Sequence, residues 1–146
     1  MKIKTLLLVT VISLSYQQTN ATEIVDQGKQ LFTNYCSACH GVSNGGGKSN
    51  RLAPPIIAVK KHYINTYSDE QSFVKAVADW VTKPDESKTL MRGAIRRFKI
   101  MPPMPFPRAD LEKIASYIFK GDIEKPKGFD KHFKEEHKKG RGKKLN

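Results

Sequence analysis

Cysteine is scarce in this chain: there are two among 146 residues, at positions 36 and 39. That excludes a framework of structural disulfides. A second C-x-x-C pair is absent, so an ordinary four-ligand zinc site is excluded as well. No strand signal precedes Cys36, which argues against a thioredoxin-like redox pair in a βαβ unit. Apolar residues make up only 38% of the chain, a thin supply for a core. A small domain of this kind calls for a staple such as a metal or a cofactor. Acids are also in short supply, 14 against 26 Lys+Arg, for a formal charge of +12. Gly45-Gly46-Gly47 has neither a preceding strand nor a completed G-K-[ST] pattern, so it is not a phosphate-binding loop. No internal repeat is present.

Long apolar runs are missing too, with one exception. Thr5–Tyr16 is mostly apolar and follows Lys2 and Lys4, but it falls short of the roughly 20 residues a membrane-spanning helix needs. Thr19-Asn20-Ala21 then supplies small residues for cleavage. Residues 1–21 are therefore expected to be a signal peptide that directs the domain to the periplasm. No cysteine stands at the cleavage point, as a lipoprotein would require. The expected organisation is a leader over 1–21, a domain over 22–124 and a basic tail over 125–146. The tail carries nine Lys+Arg against three Asp+Glu with few apolar residues and is read as solvated and flexible.

Between leader and tail the patterning is helical. Residues 23–36 place Glu23 and Asp26 in a first turn and Ile24, Gly28, Leu31 and Tyr35 on one stripe. Residues 41–55 read as loop. Ser68 and Gln71 form a capping box for a helix with Phe73, Val74, Val77, Trp80 and Val81 on one face, ended by Pro84. A short helix is expected around Leu90–Phe98. Met101-Pro102-Pro103-Met104-Pro105-Phe106-Pro107 can be neither helix nor central strand and must run extended and stiff. A last helix over 108–120 buries Leu111, Ile114, Ala115 and Ile118, and Gly121 stops it.

The chemistry lies in Cys36-Ser37-Ala38-Cys39-His40. C-x-x-C-H is the attachment motif of c-type haem: the thiols add to the two vinyl groups, and the adjacent imidazole turns to the iron as proximal ligand. The free imidazole nitrogen needs an acceptor, and the carbonyl of Pro54 is the candidate, with Leu52 or Pro55 as alternatives. For the sixth ligand the chain offers Met91, Met101, Met104, His62, His132 and His137. Met101 and Met104 lie in the proline-locked segment, where a soft thioether can be held with little mobility.

With these pieces in order the chain resembles the class I monohaem cytochromes c of bacteria over roughly residues 23–122. The resemblance implies an all-α fold of three to five helices around one covalently bound haem c. It implies Met101 as the distal iron ligand, with Met104 the runner-up, because the ligand methionine of small members precedes a Pro-Pro pair. It implies that Gly28 packs against Tyr117 where the first and last helices cross. Trp80 matches a residue that lies by a haem propionate in some relatives, although core packing is its expected role here. The function implied is electron transfer by a monomer rather than catalysis. Redox partners with acidic docking surfaces would be steered by Lys48, Lys60, Lys61, Lys83 and Lys99. Nucleic acid is not an expected partner; the basic tail is read as a solubilising segment, with docking on an acidic redox partner or a membrane surface as the alternative. The alternative is a ligand sensor or peroxidase-like protein with a labile methionine, for which no distal acid–base pair is evident.

Overall fold

The computed structural model describes residues 21–42 and 51–140, with side chains as far as His137. Most of the expected leader and Lys48 lie outside these residues. Within them the chain is helical, without strands. The first helix, α1, covers residues 21–35. α2 is a single turn, Ser37–His40. It is followed by α3 (Ile56–Ile64), α4 (Glu70–Thr82), a 3-10 turn (Glu86–Lys88), α5 (Arg92–Phe98), α6 (Arg108–Lys120) and α7 (Phe129–Gly140). Setting aside the motif turn and α7, five helices make the domain, as the all-α expectation required.

α6 is the spine. It buries Leu111, Ile114, Ala115, Tyr117 and Ile118, and α4 and α3 both pack on it. Phe73 of α4 is fully buried at the centre and meets Phe119 with ring centroids 5.3 Å apart. Burial of a side chain of this size contributes about 2 kcal/mol by transfer alone. At the solvent edge of this contact Glu70 accepts hydrogen bonds from Ser116 Oγ (2.6 Å) and Lys120 Nζ (2.8 Å). α1 crosses α6 at Gly28. A Cβ there would come within 2.2 Å of the Lys113 carbonyl oxygen and 2.8 Å of Tyr117 Cβ, so only glycine lets the backbones meet. The expected Gly28–Tyr117 pair is thus in contact, with Phe32 tilted against the same tyrosine at 5.9 Å.

Three local expectations change. The cap of α4 is Asp69, not Ser68: its carboxylate accepts from the Ser72 amide at 2.9 Å, a charged acceptor at the positive end of the helix. α3 was not anticipated, although Ile56 and Tyr63, two of its buried residues, are seven apart on one helical face. Residues 125–137 do not behave as a solvated tail. Ile123 and Phe129 are buried in the core, and Phe133 packs against it. Charge density hid two aromatic anchors, Phe129 and Phe133, that dock an amphipathic helix.

Candidate haem site

α1 ends by turning directly into the motif. The amide of Cys36 bonds back to Phe32 O, and those of Cys39 and His40 bond to Cys36 O at 3.2 and 2.9 Å. This single turn brings both cysteines and His40 to one side, where all three line a cleft of about 240 Å³. The two cysteines are not joined in a disulfide. Burial, and then the neighbouring Cys39, pushes the Cys36 thiol up to about 11.

His40 Nδ1 lies 2.8 Å from the Pro54 carbonyl oxygen. A carbonyl only accepts, so Nδ1 carries the proton and donates, and the lone pair of the neutral ring is on Nε2. Burial holds His40 below the usual histidine range, while the bond to Pro54 works in the opposite direction. The loop acceptor is therefore Pro54 rather than Leu52, which also lines the cleft, or Pro55, which precedes α3.

The opposite wall is the proline segment. α5 ends at Lys99, whose φ of 67° and ψ of 178° lie in a region almost confined to glycine, and this reversal sends the chain into residues 101–107. Four of those seven residues are prolines and lack an N–H. Met104 donates its amide to Val81 O at 3.0 Å, tying the segment to the end of α4. Phe106 stacks on Tyr35, with centroids 4.4 Å apart and planes 9° apart, which ties it to α1. Met101, Met104 and Met91 all face the cleft. His62 does not line it; it packs instead with Phe133 and His137.

Between the walls the cleft is lined by apolar side chains of α3, α4, α5 and α6, among them Ile56, Val77, Ile95, Phe98 and Ile114. Trp80 belongs here rather than in the core: it is half-buried and lines the cleft. Of the lysines expected to steer partners, Lys60 is occupied, donating to Gly121 O at 2.9 Å, and Lys61 sits over the Phe133 ring. Lys83 and Lys99 are exposed. The sequence reading overlooked Arg92, Arg96 and Arg97, which are exposed on α5 while Ala94, Ile95 and Phe98 of the same helix face the cleft.

This donor set fits a haem: two thiols and an oriented imidazole on one wall, thioethers on the other, and an apolar slot between them. The arrangement agrees with what is found among known proteins. A family model described as Cytochrome c matches residues 25–121, two thirds of the chain, from α1 through α6. An uncharacterized protein of Aquifex aeolicus (strain VF5) is 27% identical over 106 residues, covering 63% of this chain and 70% of that protein. No solved structure matches. The chain belongs to the cytochrome c family, whose members bind covalently attached haem c with its iron and serve in haem-based electron transfer.

Proposed function

We propose that this protein is a periplasmic monohaem carrier that passes single electrons between redox partners, with Cys36 and Cys39 as the covalent tethers, His40 as proximal ligand and Met101 as distal ligand. The single observation that carries this reading is the His40–Pro54 contact, because it orients the imidazole and leaves Nε2 as the one nitrogen free to ligate. Haem supplies the one-electron iron couple. The chain's own residues do the rest. The apolar walls keep water from the slot, and a soft thioether opposite imidazole favours the reduced state and raises the potential.

Met101 is preferred to Met104 for two reasons. It precedes the Pro102-Pro103 pair at the register expected of the family. The second is that Met104 would shift the start of the last helix by three residues from that register. Lys99 at the cleft and the exposed Arg92, Arg96 and Arg97 on α5, whose Ala94, Ile95 and Phe98 line it, suit a partner with an acidic docking face.

The test is the ferric absorption spectrum of the holoprotein and of Met101→Ala and Met104→Ala. The wild type is expected to show the long-wavelength sulfur-to-iron charge-transfer band. Met101→Ala should lose it, bind carbon monoxide rapidly when reduced and titrate at a lower potential; Met104→Ala should keep the band. Loss of the band in Met104→Ala alone would exchange the two roles, and high-spin iron in the wild type would remove the six-coordinate carrier altogether.

A further inference from the structure

α7 lies beyond the span matched by the cytochrome c family and takes no part in the haem site, yet a cluster of three rings holds it. Phe133 and His137 are four residues apart on α7 and so share one face. His62 of α3 meets both. The ring centroids are 5.6 Å apart for His62–Phe133, 4.1 Å for Phe133–His137 and 5.0 Å for His62–His137. Phe129, one turn earlier, is buried and seats the helix. Two imidazoles 75 residues apart in sequence thus lie side by side across a helix–helix contact, with planes inclined at 56° rather than stacked flat.

That separation has a chemical meaning. A metal–imidazole bond is about 2.0–2.1 Å, and the ring centroid lies roughly 1.2 Å behind the nitrogen, so a shared ion sits about 3.2 Å from each centroid. With one nitrogen of each ring turned to the ion, centroids 5.0 Å apart give an N–metal–N angle of roughly 100°, between square-planar and tetrahedral values. We propose that His62 and His137 form a binding site for a late divalent transition metal ion, of the Cu²⁺, Ni²⁺ or Zn²⁺ class, that pins α7 to α3. Imidazole ligands suit these ions, whereas Mg²⁺ and Ca²⁺ require oxygen. Among the described residues no group of three or more His, Cys, Asp or Glu comes together, so two positions are filled by the protein and the remainder by water. Such a site binds and releases its ion rather than serving as a permanent staple. Phe133 walls one side of the pair. The Lys61 ammonium, 5.3 Å from the Phe133 centroid, is the nearby charge that opposes the ion.

The test uses the full-length ferric holoprotein, titrated calorimetrically with Zn²⁺ alone and, separately, with Cu²⁺ alone in a buffer that does not chelate. One ion per chain is expected, bound about tenfold or more weakly by His62→Phe and by His137→Phe and equally well by His132→Ala. The phenylalanine variants keep an aromatic ring in each place, and amide exchange over α7 verifies that the helix remains docked in them. Zn²⁺ should slow exchange over α7 in the wild type and leave it unchanged in His137→Phe. The haem spectrum should stay constant throughout, which separates this site from any event at the iron. Unchanged affinity in His137→Phe, loss of binding in His132→Ala, or no binding at millimolar ion would each overturn the assignment.

Discussion

The two walls of the haem cleft are built by different means. The wall carrying Cys36, Cys39 and His40 is continuous with α1, braced by helical backbone bonds and by the Gly28 crossing on α6, and its imidazole is fastened to Pro54. The wall carrying Met101 and Met104 is extended chain stripped of donors by proline, held by the Met104–Val81 amide bond and the Tyr35–Phe106 stack. The first is held by its own secondary structure; the second is stiff in itself but rests on contacts made by neighbours. A ligand on the first wall is therefore set by local chain geometry, and a ligand on the second depends on how well the rest of the domain is packed.

This contrast can be tested in descending order of effect. Replacing both Cys36 and Cys39 by alanine removes the covalent tethers, and acidified acetone should then extract all the haem from a protein that otherwise retains it. Gly28→Ala places a methyl against the Lys113 carbonyl and should cost about 3 kcal/mol, read from denaturant unfolding of the holoprotein. It should loosen the motif wall and the whole domain together. Phe106→Ala removes the stack on Tyr35 and should cost only about 1 kcal/mol globally. Its larger effect should be local, with faster carbon monoxide capture by the reduced protein and little change in unfolding. Equal global losses in Gly28→Ala and Phe106→Ala would erase the distinction between the walls.

The smallest effect concerns the α4–α6 spine, which supports both. Burial would raise the Glu70 carboxyl, but Lys120 and Ser116 more than offset it and hold the group below the usual carboxylate range. A depressed carboxylate contributes stability that is present above its unfolded value and is lost as pH falls toward its folded value. Thermal melting should thus decline below the ordinary glutamate range of about 4.3 more steeply in the wild type than in Glu70→Gln. Identical acid limbs would show that the pair is fully screened.

Much of the site was legible in sequence because its chemistry is short-range. C-x-x-C-H places three groups within one turn, and four prolines in seven residues dictate extended chain wherever they occur. α6 was legible to the residue, since its apolar stripe is regular and Gly121 stops it. α3 was not read from its short nine-residue stretch, although Pro54-Pro55 ahead of an apolar run, with Ile56 and Tyr63 seven apart, was a usable signal. α7 was hidden by its charge: Phe129 and Phe133 look sparse in a basic segment until a surface exists for them to cover.

Sequence alone thus determined the helical class, the stiffness of the methionine segment and which residues are the candidate tethers and proximal ligand, all of which follow from bonds and sterics among near neighbours. Tertiary structure decided that Pro54 accepts from His40, that Trp80 turns to the cleft, that Lys60 is consumed by Gly121 O, and that His62 meets His137 rather than the haem site. The pairs among these are 14, 61 and 75 residues apart in sequence. Their geometry is set by how α3, α4, α6 and α7 pack, and packing is a property of the assembled surfaces that no local spacing encodes.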